Sequence, residues 1–246
     1  MGCIELFNVG DTLGDVVTKF PYAATIFSQS QIDFCCGGAR SIQQALDEKN
    51  LDARGFMLAL NAAWTEQQSQ DSVFINWQEA PLTKLVDHIL QAHHAYLQQN
   101  MPKIGELSTK ILRVHGEHHG QVLSILHRQF HLFKMAMEEH LIKEETQVFP
   151  RIKAFEETQT VADLRAVNQA IATLEQEHEE AGQLLRTMRE ITGDYELPTD
   201  ACKTYVLTFQ LLKEMEDNTF VHVHLENNIL FPRLRQLEAE FQADRR

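Results

Sequence analysis

Five absences narrow what this chain of 246 residues can be. Cysteine is scarce: Cys3, Cys35, Cys36 and Cys202 are too few and too scattered for a disulfide scaffold, so reduced thiols are expected. No apolar run approaches the length of a membrane span, and the opening MGCIELFNVG has neither a basic nor an apolar signal region. Leu6 stands where a myristoylation signal wants Ser or Thr. A soluble, cytoplasmic protein is therefore expected. Positive charge is short: 22 Lys and Arg against 35 Asp and Glu leave a formal net charge of −13. That excludes a nucleic-acid backbone and an anionic membrane surface as partners, since both need clustered cations. Alternating β-branched runs bounded by turns are almost missing, which points to an all-α fold.

The fifth absence is histidine from the first 87 residues; all 12 histidines lie between His88 and His224. The asymmetry suggests two modules. The expected division is residues 1–64 as a small N-terminal helical module, 65–80 as a linker and 81–246 as a helical bundle. In the first module Thr12 or Asp11 can cap a helix carrying Val16, Val17 and Phe20. Pro21 can start a second helix, Ser41 can cap a third with Ile42, Ala45 and Leu46 inward, and Phe56 to Trp64 supplies a fourth. TEQQSQDS, residues 65–72, is polar and without period. From Pro81 on, amphipathic segments of about 82–115, 120–157, 160–192 and 199–240 predict an antiparallel four-helix bundle. Gly116 and Gly120 mark the first turn, and Pro102 and Gly105 are candidate kinks.

Two stretches of the bundle match each other. HLIKEETQVFPR, from His140, and HVHLENNILFPR, from His222, both read H-x-x-x-E-x-x-x-x-F-P-R. Residues i and i+4 share a helix face, so His140 pairs with Glu144 and His222 with Glu226. Imidazole and carboxylate on one face suit a metal of intermediate hardness such as iron, and two carboxylates facing across a bundle core can bridge two metals. Rise per residue then places His94 and His178 level with His140, and His222 at a comparable height. The expected ligands are His94, His140, Glu144, His178, His222 and Glu226, holding two iron ions with room for an oxo or hydroxo bridge. A single His on an apolar face is more often a satisfied core residue; the repeat argues against that for the pair. His93 stays open beside His94, His224 beside His222, and His115 if the first helix breaks at Pro102. The remaining histidines read as surface or supporting residues, and Glu190 and Asp194 as a solvated exterior.

The stretch DFCCGG, Asp33 to Gly38, sets two thiols side by side. Gly37 and Gly38 can supply positive φ and close backbone approach. A helix start at Ser41 could lower a thiol pKa. Cys35 and Cys36 are therefore candidates for redox or iron transfer, and exposed adjacent thiols allow a homodimer. DFCCGG, the stretches from His140 to Pro150 and His222 to Pro232, and Glu177 to Gly182 together resemble the iron–sulfur cluster repair di-iron proteins, the RIC or YtfE/ScdA family. The resemblance covers almost the whole chain. It implies a hemerythrin-like bundle with a non-haem di-iron centre and a bacterial cytoplasmic setting. It also implies iron donation to iron–sulfur clusters damaged by nitric oxide or peroxide, assisted by the N-terminal cysteines. The family pattern includes a histidine aligning with His115. Damaged or apo iron–sulfur proteins would be the partners. The competing function is a site that binds or reduces NO or O2 as an enzyme.

Overall fold

The computed structural model describes residues 6–68 and 75–243. They divide into two compact units, one of residues 82–222 and one drawn from the described residues before 82 and after 222. Among the described residues there is no strand, only an isolated bridge between Thr12 and Ser41. Residues 69–74 of the expected linker, like Cys3, lie outside the description. Residues 65–68 are helical, the last turn of a helix rather than linker.

In the N-terminal unit the first and third helices begin at side-chain caps. Helix α1 spans Leu13–Lys19, and Thr12 accepts the Asp15 N–H at 3.2 Å. Helix α2 spans Ala23–Gln29, just after Pro21. Helix α3, Ile42–Lys49, starts in a reciprocal capping box between Ser41 and Gln44 and ends at Asn50 in the left-handed region. Helix α4 spans Ala53–Gln68. Phe20 packs against Phe7 and Trp64, and Phe27 against Phe34 and Phe56. Burying each such ring contributes about 1.5–3 kcal/mol.

The bundle unit opens with α5, Leu82–His88, a π-helical turn at Ile89–His94, and α6, Ala95–Lys143. Every residue of α6 is helical, yet the chain doubles back within it. Thr109 Oγ1 lies 3.0 Å from His127 Nε2, although 18 residues of straight helix would span about 27 Å. His94 and Glu145 also meet, at 2.9 Å. Both pairs place the reversal near residues 116–120, where the glycines predicted it. Neither Gly116 nor Gly120 adopts positive φ; helical backbone runs up to and away from the bend. Pro102 does not break the helix. It and Gln98 are exposed, so the Gln98 carbonyl that loses its donor faces water.

A second π-turn, Glu144–Val148, leads into α7, Phe149–Thr158, with Pro150 in its first turn. Here too the proline is absorbed without a break: the missing N–H falls where the helix has just widened. Gln159 at φ 54° turns the chain into α8, Val161–Ile191. The next turn holds Gly193, Asp194 and Tyr195 all at positive φ, and leads on to α9, Lys203–His224. Arg189 reaches from α8 to Asp194 and to the fully buried Glu216 of α9, at 2.7 Å. Asp194 is thus an anchor of this turn, not a merely solvated acid. Phe130, Phe133, Met137, Leu185, Met188, Leu212 and Met215 are buried together between the limbs of α6 and helices α8 and α9. A third π-turn, Leu225–Leu230, and α10, Phe231–Ala243, pack in the N-terminal unit. There Arg233 donates to the carbonyls of Trp77 and Ala80, at 2.8 and 2.7 Å.

Candidate metal centre

The bundle brings five of the six expected ligands to one place, although they start from four stretches of chain. His94 ends the first π-turn, Glu144 opens the second, His140 stands one turn before it, and His178 and His222 come from α8 and α9. All five are 3% exposed or less. Glu144 Oε2 sits 3.3 Å from His94 Nε2, 3.3 Å from His140 Nε2 and 3.8 Å from His222 Nε2. The imidazoles face one another in two pairs. His140 and His178 approach Nε2 to Nε2 at 3.0 Å, and His94 and His222 at 3.3 Å. Each pair has a Glu144 oxygen among donor atoms that all lie within 4.8 Å of one another.

This spacing can be tested against a metal. Two nitrogens, each about 2.1 Å from one ion and at right angles, are about 3.0 Å apart. Both pairs have that separation, and a carboxylate shared between them is the element that joins two ions. The residues fit a metal. Burying four imidazoles and an acid together without a cation would sacrifice hydration with little in return.

The rings are held from behind. His140 Nδ1 pairs with Glu177 at 2.9 Å, and Lys143 contacts the other oxygen of the same carboxylate. The Glu177 carboxyl is pulled down to about 2, first by the His140 hydrogen bond and further by Lys143, against the opposing effect of burial. His94 Nδ1 pairs with Glu145 at 2.9 Å, and Gln98 donates to the same oxygen. Such partners fix each ring so that its Nε2 faces the cluster. The supporting roles of Glu145 and Glu177 were missed from spacing. Their signal was present: each is an acid directly beside an expected ligand.

Other histidines are placed elsewhere. His93 is buried; it bonds Asn218 through Nδ1 at 3.2 Å and stacks on His222 at 5.8 Å. His115 lies at the reversal of α6 and bonds Cys202, so the unbroken first limb keeps it out of the cluster. His224 is buried in the N-terminal unit against Phe34, with Thr18 3.4 Å from its Nε2. Burial pushes its pKa down to about 4. In that unit Glu226 follows His222 by one turn and is fully buried.

DFCCGG forms a tight loop that gathers Asp33, Cys35 and Cys36, their donor atoms all within 4.8 Å of one another. Asp33 Oδ1 accepts N–H groups from Cys35, Cys36 and Gly37 at 3.1, 3.1 and 3.2 Å. Cys35 is buried and Cys36 half-buried, with their sulfurs 3.9 Å apart. The Cys35 thiol is pushed up, first by its hydrogen bond with Cys36 and then by burial, opposite to the expected lowering. Gly37 and Gly38 do not adopt positive φ; close approach is what they provide. A Cβ on Gly38 would meet Asn228 Oδ1 at 2.1 Å and the Phe34 carbonyl at 2.8 Å.

A helical bundle with paired histidines around a shared buried carboxylate defines a non-haem metal-binding protein. Residues 85–234 match the hemerythrin HHE cation binding domain, and residues 9–64 match ScdA_N, a domain of unknown function (DUF542). The chain belongs to the hemerythrin HHE family, in the branch that carries this N-terminal domain. It is 34% identical over 227 residues to the iron–sulfur cluster repair protein ScdA of Staphylococcus epidermidis, covering 91% of this chain and 97% of that one. It is 31% identical to the iron–sulfur cluster repair protein YtfE of Escherichia coli O157:H7, covering 90% and 94%. The YtfE of Citrobacter koseri is 30% identical with the same coverage. Among the described residues no helix is long and apolar enough to cross a membrane.

Proposed function

We propose that this protein holds two non-haem iron ions and gives up iron to rebuild damaged iron–sulfur clusters in other proteins of the cytoplasm. The observation that carries the reading is Glu144 Oε2 standing 3.3 Å from a histidine of each pair. His94 and His222 would hold one ion, and His140 and His178 the other. Glu144 and Glu226 would bridge them, leaving room for an oxygen bridge. The names of the relatives, matched over nine-tenths of the chain, support the repair role. Imidazole and carboxylate donors also suit a site that must release its metal, because they bind intermediate cations less tenaciously than thiolates. Iron pairs of this kind supply redox and Lewis-acid chemistry when bound. The protein's part is to hold six side chains in place, with Glu145 and Glu177 keeping Nε2 directed inward. Cys35 and Cys36 belong to the same proposal as an accessory to iron transfer, in an N-terminal module (1–64) distinct from the bundle (81–246). The limits of the two family matches, 9–64 and 85–234, support that division.

The test is the iron content of anaerobically purified protein beside the His140→Ala/His222→Ala variant, followed by iron transfer from reduced protein to an apo iron–sulfur acceptor. About two irons per chain, lost in the variant and delivered by the wild type, are expected. Iron that is absent or indifferent to the variant overturns the site. Turnover of NO or O2 with all iron retained beside an acceptor overturns the donor role.

A further inference from the structure

A second group of reactive side chains gathers at the opposite end of the bundle, where α6 reverses. His115 and His119 lie one turn apart on α6; Asp200 and Cys202 lie in the segment entering α9. His115 Nε2 is 3.2 Å from Cys202 Sγ, and His119 Nε2 is 2.8 Å from Asp200 Oδ1. Tyr205 stands edge-on to the His115 ring, centroids 5.3 Å apart, and limits its rotation. Cys202 is exposed. His94 and His115 are 21 positions apart on one limb, about 31 Å along its axis, so this group is independent of the metal centre.

Two features activate the thiol. An imidazole within hydrogen-bond distance can take its proton and stabilise the thiolate. Cys202 also immediately precedes the 22-residue α9, whose first N–H groups favour negative charge. The Cys202 thiol is accordingly lowered to about 7, first by the His115 hydrogen bond and then by the backbone N–H groups of Tyr205 and Thr204. The Cys202 sulfur therefore gives up its proton more readily than that of Cys35, whose thiol is pushed the other way.

We propose that Cys202 and His115 form a thiol-exchange site that takes up a low-molecular-weight disulfide. His115 accepts the Cys202 proton. The sulfur attacks one sulfur of the disulfide, a Cys202–S–S–R bond forms and the original S–S bond breaks. The departing thiolate takes the proton back from His115. Cys202 is oxidised, the released thiol is the reduced product, and the disulfide itself is the only oxidant required.

The experiment uses the full, reduced chain and hydroxyethyl disulfide, with the adduct located by peptide mass mapping and its rate followed from pH 5 to 10. The adduct is expected on Cys202, with a rate midpoint near pH 7 and a rate at pH 7 about three-fold above that of a cysteine peptide. His115→Gln should move the midpoint toward about 8.5 and slow the reaction at pH 7 about three-fold. Cys202→Ser should abolish that adduct. A wild-type midpoint near 8.5, no adduct on Cys202, or a rate untouched by His115→Gln each overturns the proposal. The wild-type profile decides even where the variant folds poorly.

Discussion

The twelve-residue repeat occurs twice, and its copies meet different surroundings. In the copy from His140, Ile142 is 61% exposed, and Thr146 points outward and bonds only the carbonyl of Ile142 one turn back. In the copy from His222 the equivalent residues are His224, 2% exposed against Phe34, and Asn228, which donates to the Cys35 carbonyl at 2.9 Å. The shared positions are His, Glu, Phe, Pro and Arg, and each copy widens into a π-turn at its glutamate or one residue earlier. The constant His and Glu positions are the proposed metal ligands, while Ile142 and Thr146 face water where His224 and Asn228 meet the DFCCGG loop. One repeat has been adapted on its outer face without altering its inner one.

The largest effect should come from positions the copies share. Glu144→Ala removes a carboxylate within 3.8 Å of three histidines, and Glu226→Ala removes its counterpart. Each is expected to weaken iron binding more than about 100-fold, beyond the range set by supporting residues. Competition with a chromophoric chelator measures this. Loss in one variant with full retention in the other would show that the copies are not equivalent at the metal.

Next come the positions where the copies diverge. His224→Ala empties a buried site beside Phe34 and should destabilise the protein by about 2–4 kcal/mol. Ile142→Ala, on an exposed face, should stay within about 0.5 kcal/mol. Denaturant unfolding compares the two, and equal costs would mean that the outer faces do not differ as described.

Local chemistry explains how much of this was legible in the sequence. The caps at Thr12 and Ser41, the reversal near Gly116 and Gly120 and the end of the third long segment near 192 each depend on a few adjacent residues, and the structure has all four. The grouping of His140 with Glu144 follows from helical spacing. The π-turns were not legible, because an i to i+5 bond leaves no mark in a hydrophobic pattern that short. Nor was the environment of the thiols. Cys35 is raised by a neighbour and by burial, whereas Cys202 is lowered by His115, 87 positions away in the chain. The burial of His93 and His224 likewise depends on distant partners, Asn218 for one and Phe34 for the other.

The smallest effect should fall on the polar contact that distinguishes the second copy. Asn228→Ala leaves the Cys35 carbonyl without its donor, a cost of about 1–2 kcal/mol; Thr146→Ala, whose hydroxyl bonds its own helix, should cost almost nothing. Gly38→Ala pushes a methyl group into Asn228 and should cost about 1–3 kcal/mol. The two substitutions at Gly38 and Asn228 act on one contact, so their sum should overestimate the double variant by more than about 0.5 kcal/mol. Thr146→Ala combined with Gly38→Ala should be additive, because Thr146 bonds only within its own turn. Additivity in both pairs would leave Gly38 constrained by the Phe34 carbonyl alone. The second glycine of DFCCGG would then be a requirement of its own loop, and not of the repeat that packs on it.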